Sequence, residues 1–193
     1  MVRNRISPTS EIICPCRSHL RGPPTALNTE EHIVLQKSSS NLVMLVTPPL
    51  SFSRVQNGVF RSAYPTKKSL VYITNNLSLR SLVCLCPKEL KNDLREFATE
   101  NSIILAEFNI GSNQEPFVSM FEESVQNAVD FILDESNHPT LVFCITGQKK
   151  TGCVIGCLRK MSGWSLTSIL HEYEQFNDPD GSLSDMIFIE NFK

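Results

Sequence analysis

The chain lacks any apolar run approaching the roughly 20 residues a bilayer-spanning helix requires, so no membrane segment is expected. It also lacks an excess of positive charge. With 18 Lys and Arg against 20 Asp and Glu, its net charge of −2 argues against the broad basic surface that nucleic-acid binding needs. Metal-site spacing is missing too. Cys14-Pro15-Cys16 and Cys84-Leu85-Cys86 have no matching cysteine or histidine pair at zinc distance, so neither metal nor cofactor is expected. Nor do the seven cysteines read as a disulfide framework. Cys84 and Cys86 fall on one face of a strand, and Cys153 and Cys157 on one face of a helix. That is the usage of a reduced, cytoplasmic protein. No internal repeat is present.

What is present divides near residue 50. Before it, Pro8, Pro15, Pro23, Pro24, Pro48 and Pro49 interrupt any regular element, and Ser38-Ser39-Ser40 is a polar tract. Residues 1–50 are therefore expected to form a disordered leader; the prolines also spoil the amphipathic helix of an organelle-targeting signal. Leu42-Val43-Met44-Leu45-Val46 is apolar enough to dock on the domain or add an edge strand. From Ser51 onward, strands and helices alternate. Strands are expected at Val59-Phe60, 81–86, 103–108 and 140–143, with helices over 66–76 and around Leu90, Leu94 and Phe97. A long helix is expected through Phe117, Phe121, Val125, Ala128 and Ile132. Further helices follow residue 151, Ser165 and a capping Ser184. The implied fold class is α/β, with a central, largely parallel sheet flanked by helices on both faces.

The chemistry concentrates in Val142-Phe143-Cys144-Ile145-Thr146-Gly147-Gln148-Lys149-Lys150-Thr151-Gly152. Here a buried strand ends on Cys144 and a helix begins after a short loop. Ligands in open α/β sheets bind at the carboxyl ends of strands, where Cys144 lies. In this layout loop amides converge on the thiol, a geometry that binds phosphate dianions and supports a nucleophilic thiolate. The expected phosphate-binding residues are Ile145, Thr146, Gly147, Gln148, Lys149, Lys150 and Thr151, with Cys144 in the nucleophile's place. Gly147 permits the tight turn, and Thr151 is placed to offer its hydroxyl to the departing sulfur. One group is missing. A cysteine-dependent phosphatase needs an arginine six residues after its cysteine, and this chain has Lys150. Lysine keeps the charge but loses the planar fork that holds two phosphate oxygens at once. Phe143 stands where a histidine would help order the thiolate.

Wider likenesses point the same way. Gly58-Val59-Phe60-Arg61-Ser62-Ala63-Tyr64-Pro65, Leu79 through Pro87, Asn113-Gln114-Glu115-Pro116-Phe117, Asn137-His138-Pro139 and Gly156-Cys157-Leu158-Arg159-Lys160 carry a resemblance. Over about Ser51 to Lys193 the chain resembles the plant and fungal atypical dual-specificity phosphatases, a branch of the protein tyrosine phosphatase superfamily. The first of these segments is similar to that family's Gly-Val-Tyr-Arg-Ser-Gly-Phe-Pro. The resemblance implies a phosphatase fold acting on phosphotyrosine-type substrates or inositol pyrophosphates. Of the family's His-Cys-x-x-Gly-x-x-Arg loop, only Cys144 and Gly147 carry over. In the acidic loop, one carboxylate has become Gly111 and one lysine Gln114. Glu115 is left as the local candidate for a general acid, or as an ordinary acid beside a helix start.

The expectation is thus a tyrosine-phosphatase-like protein with impaired catalysis, a pseudophosphatase that binds a phosphorylated ligand or protein partner. The alternative is a weak phosphatase working through a phosphocysteine. By resemblance, related family proteins are expected partners. Lys67-Lys68 either rim an anion pocket with Lys149 and Lys150 or lie solvated at the surface. Arg159-Lys160 read as solvated surface charge.

Overall fold

Thr140-Leu141-Val142-Phe143-Cys144 is a strand with all five residues buried. Leu141, Val142 and Phe143 are wholly inaccessible, and burying each is worth about 1.5–3 kcal/mol. The structure is a computed structural model that describes residues 46–177 and 181–193. The leader up to residue 45, with Cys14, Cys16 and Leu42 to Leu45, lies outside the described residues. The strands are β1 (Ser53–Gln56), β2 (Val59–Ala63), β3 (Ser81–Cys84), β4 (Ile104–Glu107) and β5 (Thr140–Cys144). The main helices are α1 (Lys67–Asn76), α2 (Asn92–Glu100), α3 (Glu122–Leu133), α4 (Lys149–Met161), α5 (Leu166–Asn177) and α6 (Leu183–Asn191).

The five strands form one sheet in the order β1-β2-β5-β3-β4. Only β1 runs antiparallel, against β2; the other pairs are parallel. Every residue of β3 and β5 is buried, which requires helices over both faces, as the alternating pattern implied. Cys144 pairs with Ala63 of β2, and Phe143 with Cys84 of β3, so the two neighbouring strands end level with the loop after β5. α4 continues from that loop and is buried along Thr151 to Arg159 by α3, α5 and α6. A Cβ at Gly152 would lie 2.9 Å from the Tyr173 ring, so α5 closes on α4 only because that position is bare. Among the described residues, no helix is long and apolar enough to cross a membrane.

One edge of the sheet is formed by β1, from Ser53-Arg54-Val55-Gln56, which was not anticipated; of the apolar stretch 42–46 only Val46 is described, and it belongs to no element. Three expectations change. The long helix starts at Glu122 rather than near Phe117, leaving Phe117 and Phe121 exposed. The reason is local: Asn113 Oδ1 accepts the N–H groups of Ser119 and Met120 at 2.7 and 2.9 Å, holding this stretch as a loop. The N-cap of α6 is Ser182 instead of Ser184. Arg159 is buried rather than solvated. Its Nε donates to Glu172 at 2.9 Å, its Nη2 to the Val55 carbonyl at 2.8 Å, and its guanidinium lies 4.0 Å from the Trp164 ring centre. Lys160 donates to the Ile189 and Glu190 carbonyls.

Candidate active site

The loop 145–148 joins β5 to α4, and its shape is set by where its carbonyls go. Three consecutive ones are tied to donors outside the loop. The Ile145 carbonyl accepts Tyr64 N–H at 3.2 Å, and that of Thr146 accepts Ser51 Oγ–H at 3.0 Å. The Gly147 carbonyl accepts Arg61 Nη2–H at 2.9 Å. Within a trans peptide, C=O and N–H point opposite ways. Fixing these carbonyls on β2 and the turn before β1 therefore turns the N–H groups of Thr146, Gly147 and Gln148 to the other side. The first N–H groups of α4 have no partner within the helix. With the Gln148 N–H reaching Thr146 Oγ1, the amides of Thr146 and Gly147 and the start of α4 are left without protein partners next to Cys144, itself 4% exposed, an arrangement suited to an anion.

Arg61 and Gly147 hold this shape. Gly147 has φ +72°, in the left-handed region, and its Cα packs onto the backbone of Ser62 and Ala63. Arg61 is 1% exposed, and its guanidinium carbon lies 3.6 Å from the centre of the Phe176 ring. Burial lowers its pKa to about 10, against opposing pulls from Glu172 and Cys144, so it remains a cation at neutral pH. Nothing assigned Arg61 or Ser51 a role in the sequence. The available signal was a lone arginine inside the apolar run Val-Phe-Arg-Ser-Ala.

The residues expected at the loop occupy the turn and the first helical turn that follow Cys144. Gln148 is the N-cap of α4, its N–H within 3.3 Å of Thr146 Oγ1. Lys149 is exposed and Lys150 half-buried in the first turn of α4. Neither forms an ion pair with another described residue. Thr151 Oγ1 is fully buried and has no partner among the described residues, which leaves it available to the sulfur. Phe143 is a core residue with its ring edge-on to Tyr64 at 5.6 Å, and it offers no proton or charge to the thiol.

Glu115 has another task. Its Oε1 accepts Ser182 Oγ–H at 2.6 Å and Ser184 N–H at 2.9 Å, tying the 109–116 loop to the start of α6. The Ser182 hydroxyl first, then the Ser184 amide, hold this carboxyl below its ordinary range. Both bonds favour the ionised form, the opposite of what a proton donor needs. We expect Glu115→Gln to leave turnover of a phosphoanhydride substrate within about two-fold while lowering the melting temperature at neutral pH. A depressed carboxylate stabilises the fold above its unfolded pKa of ~4.3, and that contribution disappears as pH falls through the folded value. The melting difference between the two proteins should therefore shrink on acidification. A collapse of turnover in Glu115→Gln would return Glu115 to the acid's role.

Beside the loop lies a cavity of about 540 Å³ lined by Pro48, Leu50, Tyr64, Lys68, Lys91 and Ile145, among others. Lys68 lines this cavity, but Lys67, Lys149 and Lys150 are not among its lining residues. Lys91 arrives from a different segment and was not anticipated.

Residues 46–193 match the family described as the tyrosine phosphatase family. An inositol diphosphatase of Oryza sativa subsp. japonica is 42% identical over 148 residues, covering 77% of this chain and 66% of the rice protein. An inositol diphosphatase of Arabidopsis thaliana is 40% identical over 148 residues, covering 77% of this chain and 74% of that one. Among solved structures, the core catalytic domain of the PP-IP phosphatase SIW14 from Saccharomyces cerevisiae, in complex with citrate, is similar. It aligns with a TM-score of 0.71 at 32% identity, over 77% of this chain and 88% of the yeast chain.

Proposed function

The chain belongs to the tyrosine phosphatase family, and from that premise we propose that it is a slow cysteine-dependent phosphatase whose best substrates are phosphoanhydrides such as inositol pyrophosphates. The observation that carries this reading is the loop itself. Three of its carbonyls are tied outward, which leaves the amides of Thr146 and Gly147 to a dianion above Cys144, while the Gln148 amide reaches Thr146 Oγ1.

In the proposed reaction the Cys144 thiolate attacks the terminal phosphorus. An S–P bond forms as the P–O bond to the leaving group breaks, and the electron pair departs with that oxygen. Water then attacks the phosphocysteine, releasing inorganic phosphate and restoring the thiolate, toward which the Thr151 hydroxyl is available. An alcohol leaving from a phosphomonoester needs a proton in flight, and Glu115 is held ionised elsewhere. A phosphate leaving group needs none, because its second pKa is about 6. The absence of a poised acid thus costs less with an anhydride than with an ester. The relatives that are inositol diphosphatases support the same choice.

A second reading, anion binding without turnover, is favoured by Lys150 and Phe143, which remove the arginine fork and the histidine. The two separate on one comparison: turnover of an inositol pyrophosphate and of an aryl phosphate by the wild type and by Cys144→Ser. We expect slow wild-type turnover, faster on the pyrophosphate, and none in Cys144→Ser. A wild type as inactive as Cys144→Ser would establish the binding reading instead. The five described cysteines are all free thiols, which supports our proposal of a reducing, cytoplasmic location. A related family protein as partner is likewise a proposal, to be tested by co-purification.

A further inference from the structure

The cavity beside the loop is lined in part by Tyr64, a tyrosine where the family segment quoted above has phenylalanine. Where that segment reads Gly-Val-Tyr-Arg-Ser-Gly-Phe-Pro, this chain has Phe60 and Tyr64. The phenol has moved from within β2 to just past its carboxyl end. Three contacts fix Tyr64 relative to Cys144. Its N–H holds the Ile145 carbonyl, its ring stands edge-on to Phe143, and its Oη accepts the Lys91 N–H at 2.9 Å. The phenolic proton has no acceptor among the described residues, and Tyr64 is one of the residues lining the cavity. Burial pushes the Tyr64 pKa above its ordinary value, so the group stays a donor at neutral pH.

Charge points to the ligand. Lys68 and Lys91 line the same cavity against the single carboxylate of Glu89. A volume near 540 Å³ falls within the usual range for small-molecule sites. Two ammonium groups and an O–H donor suit a phosphoryl group.

We propose that Tyr64, with Lys68 and Lys91, binds a second phosphoryl group of a compact polyphosphorylated ligand whose reacting phosphate sits on the Cys144 loop. Tyr64 is then a specificity-determining residue. This rests on the loop being a phosphate site, and the test keeps the two apart.

Inositol hexakisphosphate and inorganic phosphate are titrated calorimetrically into Cys144→Ser and into Cys144→Ser carrying Tyr64→Phe. The selectivity for inositol hexakisphosphate over phosphate should fall about ten-fold with the hydroxyl gone, and Lys68→Gln should reduce it as well. Phenylalanine at this position preserves the ring and the backbone bond to Ile145. Equal weakening of both ligands would mean that Tyr64 acts only through the loop, and would overturn the proposal. So would unchanged affinity for inositol hexakisphosphate. If phosphate binds Cys144→Ser and inositol hexakisphosphate binds no tighter, the cavity assignment falls while the loop assignment stands. If neither binds, the loop assignment has failed first.

Discussion

Lys150→Arg is expected to raise turnover of an aryl phosphate by about two to three decades, equivalent to about 3–4 kcal/mol of transition-state stabilisation. Lys150 sits half-buried in the first turn of α4, without an ion-pair partner among the described residues, so its charge is available to a bound dianion. What lysine cannot do is present two parallel N–H groups to two equatorial oxygens while the phosphorus inverts between sulfur and the leaving oxygen. Binding therefore survives better than catalysis. The gain in Lys150→Arg should appear in kcat, with KM changing much less. Steady-state kinetics on the two proteins tests this. An unchanged kcat in a folded Lys150→Arg would mean that the fork is not the limiting defect, leaving Phe143 or the absent acid.

The second large effect is on the loop's support. Gly147→Ala is expected to destabilise the protein by about 3 kcal/mol and to abolish phosphate binding. At φ +72° a side chain is already strained. The added Cβ would also collide with Ala63 N and meet Ser62 C at 2.5 Å and Ser62 O at 2.7 Å. These are backbone atoms of β2, locked by its ladder to β5, and they cannot rotate away. The loop must lift, which separates the Gly147 carbonyl from Arg61 and turns the amides out of register. Gly163 provides the control. It has φ +78° with nothing within 4 Å of its Cβ position, so Gly163→Ala should show only the left-handed penalty of about 1 kcal/mol. Equal losses in the two variants, measured by urea unfolding, would remove the close approach of the loop to β2 from the account.

Both predictions depend on local features that the sequence displays openly. The strand at Cys144, the turn at Gly147 and the helix carrying Lys150 are consecutive, and each has its own short-range signal: an apolar run, a glycine, then helical spacing. What escaped depends on distant partners. Ser53-Arg54-Val55-Gln56 is a strand only because β2 lies beside it, and its polar composition hides that. Phe117 and Phe121 fit the helical period of α3, but Asn113 captures two amides and delays the helix to Glu122. Arg159 reads as surface charge until α5 brings Glu172 and β1 brings the Val55 carbonyl. The site divides in the same way. The loop residues were legible. Ser51 and Arg61, 95 and 86 residues from the carbonyls they hold, were not. Glu115 was found as an acid, but its function depends on Ser182 and Ser184, 67 and 69 residues away.

The central claim is that phosphocysteine chemistry persists at Cys144 despite Lys150. The most direct measurement is acid quench of the wild type during turnover of an inositol pyrophosphate, followed by peptide mass spectrometry of the segment holding Cys144. The account predicts one added phosphoryl group on Cys144, absent from Cys144→Ser and more abundant in Lys150→Arg. Phosphate released with no modified Cys144 in either active protein, or a phosphoryl group on another residue, would contradict it.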